Sequence, residues 1–138
     1  MTQKRVPPRR GSFGGPHPWR SVVRVGLAAV WLHQGLWCKV LNREPSHRAV
    51  IASVPGLPAA GVPSATTAIG LGETALAALV AARGDRRWVA AVQTAIVGSF
   101  NAGGLIVGRD HIEDPARLLV RNGIFVALIW SSVDGRPH

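Results

Sequence analysis

The chain has 138 residues, of which 47 % are hydrophobic and 17 % charged, with a formal net charge of +9 and a mean hydropathy of +0.19. This length holds at most one domain, and the apolar fraction excludes a wholly disordered chain. The single Cys38 excludes an internal disulfide, a CxxC redox pair and a Cys-rich zinc or iron–sulfur site.

Residues 1–20 carry Lys4, Arg5, Arg9, Arg10 and Arg20 among Pro7, Pro8, Pro16, Pro18 and several Gly. Such a composition disfavours helix and strand alike and predicts a disordered basic tail. Arg9-Arg10 ahead of an apolar stretch resembles a twin-arginine signal, but no small-x-small cleavage site follows, so the stretch is expected to stay attached.

The first apolar run, 22–41, matches the length of a helix that crosses about 30 Å of hydrocarbon. Its polar members are Arg24, His33, Gln34 and Lys39. Arg24 and Lys39 lie close enough to the ends to reach the headgroups. A Pro- and Gly-rich connector follows to Pro63, with a short surface helix expected over 46–54, capped by Ser46. The second run, 64–82, contains one charged residue, Glu73, and stops at the basic turn Arg83-Gly84-Asp85-Arg86-Arg87. The third, 88–108, carries Gln93, Thr94, Ser99 and Asn101, and the fourth is placed at 116–133 after a short polar loop. A short polar segment, 134–138, ends the chain.

None of these runs alternates with the period of barrel strands. A soluble bundle would need a polar stripe on each helix, and the second run has none. The sequence therefore predicts an all-α fold: an antiparallel bundle of four transmembrane helices over 21–133, with the lipid bilayer as its principal partner. Four spans put both termini on one side. That side would hold Lys4, Arg5, Arg9, Arg10, Arg20, Arg24, Arg83, Arg86, Arg87 and Arg136, against Lys39, Arg43, Arg48, Arg109, Arg117 and Arg121 on the other. The bias makes the termini cytoplasmic. Because the basic residues gather at the ends of apolar runs, the charge needs no nucleic-acid partner.

At about 1.5 Å per residue, His33, Glu73, Asn101 and Asn122 each lie roughly 9 to 14 Å inside the outer boundary. Four polar side chains from four helices thus share one layer, with Lys39 and Arg121 above it and Gln93 near the opposite end. A lone ionised carboxylate in lipid is expensive, so Glu73 is expected to be protonated, paired or facing a wet cavity. Depth alone makes His33 its better partner, with Lys39 about 9 Å nearer the surface. Trp31, Gly35 and Lys39 follow i, i+4 spacing and share a face on which Gly35 admits a close neighbour. Gly104 and Gly108 form a GxxxG that could seat a second subunit or pack within the bundle.

The candidate ligand-binding residues are therefore His33, Lys39, Glu73, Asn101 and Asn122. The alternative role of this layer is interhelical glue. Haem held by two axial His would need a second His inside a span, whereas His17, His47, His111 and His138 fall in tails or loops. No nucleophile or metal-ligand motif is present. No covalent or metal-ligated cofactor is expected, and a self-sufficient enzyme is not.

Trp31, Gly35, Leu36 and Lys39, His47 soon after, Gly70, Gly72 and Glu73, then Pro115 and Asn122 form a set that resembles the DoxX-like family of small bacterial four-helix membrane proteins, over about 20–132. The resemblance implies an inner-membrane protein. Some relatives are associated with quinone-linked oxidation of sulfur compounds or with oxidative-stress complexes. Together these readings point to an accessory subunit of a membrane redox system, binding a quinone or another small polar ligand beside a further membrane or redox subunit. A non-enzymatic assembly scaffold or small-solute carrier is the alternative.

Overall fold

A computed structural model describes residues 18–134; the N-terminal tail expected over 1–20 lies almost entirely outside them, as do residues 135–138. Among the described residues the chain is all-helical, with five α-helices and no strand. Helix α1 (Pro18–Leu32) runs without a break into a π-helical segment, π1 (His33–Val40). The connector holds α2 (Pro45–Ala52) and a single 3₁₀ turn (Ala59–Gly61). Then come α3 (Val62–Arg83), α4 (Arg87–Ile106), a 3₁₀ turn (Arg109–His111) and α5 (Pro115–Ser131).

Proline marks several of these beginnings because its missing N–H costs nothing in a first helical turn. Pro63 and Pro115 open α3 and α5, and the Asp114 carboxylate caps α5 by accepting from the Arg117 amide at 2.9 Å. Pro45 likewise takes the first turn of α2, so that helix starts one residue before the expected Ser46. Ser46 does not cap it; its hydroxyl donates instead to the Glu44 carboxylate at 3.0 Å.

The helices pack chiefly as two pairs, α1 and π1 on α3, and α4 on α5, with α1 also touching α5. Their common core contains Leu27, Trp31, Leu76, Ala77, Val80, Val89, Ala90, Val97, Ile129 and Val133. It sits toward the α3–α4 turn. There Arg20 pairs with Asp134 at 2.9 Å and Arg24 with Asp85 at 3.6 Å, and the Asp134 amide donates to the Asp85 carbonyl. These contacts tie the start of α1, the α3–α4 turn and the end of α5 together. Arg24 is therefore held by a carboxylate, where position alone suggested a headgroup.

Two helical stretches among the described residues are long and apolar enough to cross a membrane, Ala59–Arg83 and Arg87–Ile106. The first expected span is met by α1 and π1 with Arg20, Arg24 and Lys39 aboard, and the fourth by a 17-residue helix.

Candidate functional site

The site is built on the π-helical segment. In π1 the ladder widens, as in the Leu41 amide donating to the Leu36 carbonyl five residues back at 2.8 Å. Single π turns are uncommon and recur at functional sites. The wider turn keeps residues four apart nearly in line, and Trp31, Gly35 and Lys39 are all buried on one face, as their spacing predicts.

That face meets α3 at two glycines. A Cβ on Gly35 would come within 2.5 Å of the Gly70 carbonyl oxygen and 2.7 Å of the Thr74 amide nitrogen. A Cβ on Gly70 would lie 2.8 Å from the Gly35 carbonyl oxygen and from Lys39 Cβ. Only residues without side chains permit this approach, and it carries Lys39 directly onto Glu73. The Lys39 ammonium donates to Glu73 Oε1 at 2.9 Å and to Oε2 at 2.7 Å. Both side chains are buried, at 7 % and 4 % exposure. The ammonium also lies 5.7 Å from the centre of the Phe100 ring of α4, within reach of a cation–π attraction. Thr74 donates its hydroxyl to the Gly70 carbonyl at 2.8 Å, so the backbone at the crossing is satisfied as well.

His33 does not join this pair. It is exposed, and its Nδ1 lies 3.7 Å from Cys38 Sγ. Its depth along the helix matches that of Glu73, but it is two residues from both Gly35 and Trp31, which turns it away from the face that meets α3. Depth set the expectation; direction around the axis decides the partner.

Asn101 and Asn122 are also separate from the ion pair. The Asn122 amide donates to the Asn101 carbonyl oxygen and links α5 to α4. The expected common layer is therefore two pairs, one joining π1 to α3 and one joining α4 to α5.

Gln93 is an interior polar group that the sequence reading set aside. It is wholly buried, and its Oε1 accepts from the Trp31 indole at 2.9 Å. Trp31 also packs edge-on against Phe125, 5.8 Å between centres. The signal was present in the sequence, since Val89, Gln93 and Val97 recur every fourth residue along the buried side of α4. Nearby, the Trp130 indole donates to the Thr94 hydroxyl at 3.1 Å.

Gly104 and Gly108 pack within the chain, where added Cβ atoms would meet Ile112 Cδ1 at 3.3 Å and Val50 Cγ1 at 2.8 Å. Half-buried His47 on α2 has a depressed imidazole pKa, through loss of hydration first and then the positive charge of Lys39. Among the described residues no group of three or more His, Cys, Asp or Glu could hold a metal ion.

The chemistry available here is that of a desolvated ammonium and carboxylate. Each is an expensive group to bury alone, and each is neutralised by the other. Anything that separates them must supply an oxygen to Lys39 and a hydrogen-bond donor to Glu73.

Compared with known proteins, residues 28–130 match the family model described as the DoxX-like family. Searches of curated proteins and of solved structures return no match.

Proposed function

The chain belongs to the DoxX-like family, and on that premise we propose that it is a bacterial inner-membrane protein of four antiparallel spans. Both termini would lie in the cytoplasm, and it would serve as an accessory, quinone-type ligand-binding subunit of a membrane redox system. The family and the two long apolar helices support a membrane protein. The remaining spans are α1 with π1, and α5. At about 1.5 Å per residue α5 is some 25 Å long, and Arg117 and Arg121 at its start can reach the interface.

The observation that carries the ligand-binding reading is the Lys39–Glu73 pair beside a π turn. Ionisable groups at membrane depth are costly and mark functional sites by default. A quinol-type headgroup offers what separation of the pair requires, an oxygen for the ammonium and a hydroxyl for the carboxylate. Glu73 would take the hydroxyl proton, Lys39 would hold the negative charge left on oxygen, and the electrons would pass to a partner subunit that carries the redox centre. Asn101 and Asn122 on the facing helices would supply further polar contacts once their mutual bond opens, with exposed His33 at the edge.

The assembly-scaffold reading draws on one specific feature, that both Glu73 oxygens are already engaged by Lys39. Purification in mild detergent, with co-purifying lipophilic molecules and proteins identified by mass spectrometry, separates the two. Glu73→Gln is expected to cut co-purified quinone and quinone-dependent turnover in membranes at least about tenfold, a loss of about 1.4 kcal/mol of binding. Unchanged quinone and unchanged turnover at normal protein levels would overturn the ligand-binding reading and leave the scaffold.

A further inference from the structure

The connector helix α2 has two faces with different neighbours. On one side Val50 reaches the outer end of α4, its Cγ1 filling the space where a Cβ on Gly108 would stand. On the other, Arg48, Ala49 and Ala52 form one wall of an open groove of about 600 Å³, with Leu57, Ala59 and Val62 opposite. It is a broad depression, largely open to its surroundings, and its lining is apolar with one polar group. Alanines at 49, 52 and 59 leave the space that larger side chains would fill.

The polar group is Arg48. It is half-buried, and it makes no hydrogen bond or ion pair with any described residue. Glu44, four residues earlier, precedes α2 with an extended backbone and has Ser46 as its hydrogen-bond partner. A guanidinium partly withdrawn from water above an apolar floor lacks a counter-anion, and its planar fork suits a phosphate. An anion with an apolar body attached would satisfy both parts of the groove.

From this charge and shape we infer that the α2–α3 groove binds the phosphate headgroup of an anionic phospholipid, with the glycerol and upper acyl chain lying along the alanine floor. The inference rests on the membrane reading above, in which the groove opens at the outer interface where such lipids are at hand.

The test uses the full-length protein in detergent, titrated with dihexanoyl phosphatidylglycerol and followed by native mass spectrometry. Wild type is expected to bind it at least about tenfold more tightly than dihexanoyl phosphatidylcholine. Arg48→Gln should remove that preference with unchanged thermal unfolding, and Ala52→Trp should weaken both lipids by filling the groove. Arg117→Gln, outside the groove, should change neither. Equal binding of the two lipids, full binding by Arg48→Gln, or displacement by equimolar inorganic phosphate would overturn the inference. A protein that fractionates with membranes yet ignores the anionic lipid would sink this inference alone, leaving the membrane reading intact.

Discussion

Glu73 would be hard to accommodate among apolar helices were Lys39 not bound to both of its oxygens. A buried pair of this kind contributes little net stability compared with apolar residues of similar volume, because both ions give up hydration. Removing one partner is a different matter. Lys39→Met leaves a buried carboxylate without its counter-charge and is expected to destabilise the protein by about 3–5 kcal/mol. The double variant Lys39→Met with Glu73→Leu should recover most of that loss. Thermal unfolding in detergent reads both, and a single variant as stable as wild type would show that the pair opens to water. If wild type co-purifies with a lipophilic molecule and the double variant keeps its fold yet loses it, the pair is retained for binding and not for stability.

At the scale of elements, the crossing of π1 and α3 depends on two positions without a Cβ. Gly35→Ala would press a methyl group against backbone oxygen and nitrogen of α3, which cannot swing aside as a side chain end can. The expected cost is about 1–3 kcal/mol, together with separation of Lys39 from Glu73. Gly72, two residues beyond Gly70 and so on the other side of α3, has nothing within 4 Å of where its Cβ would be. Gly72→Ala should therefore be neutral or stabilising by up to ~1 kcal/mol through helix propensity alone. Melting curves of the two variants at equal expression make the comparison, and equal behaviour would mean that the close approach does not hold the helices together.

For the whole molecule, charge is distributed unevenly between the two ends. The end that gathers Arg20, Arg24, Arg83, Arg86 and Arg87 includes the acidic partners Asp85 and Asp134, so part of its charge is spent on tying helices together. The exposed Trp19, Trp88 and Trp130 lie at this same end, as an aromatic belt at a membrane interface would. Reporter fusions to either terminus are expected to register the cytoplasm, and the protein should sediment with membranes and be released by detergent. Fusions reporting opposite sides would require an odd number of spans, and a chain that stays in the supernatant without detergent would not be a membrane protein.

The helical class, the approximate extent of the four long helices and the face shared by Trp31, Gly35 and Lys39 were legible in the sequence. Each follows from local periodicity and from where Pro, Gly and charge interrupt it. The identity of Glu73 as a group in need of a partner was legible too, because one carboxylate in a long apolar run is conspicuous. Which residue answers it was not. Depth along an axis can be counted from sequence, whereas which face of that axis meets a given neighbour depends on how the helices pack against one another. The same limit hid the Gln93–Trp31 bond, the separation of the Asn101–Asn122 pair from Glu73, and the groove beside Arg48. The first two arise where separate helices meet, and the groove where the connector folds back against the start of α3; only the tertiary structure decides which faces those are.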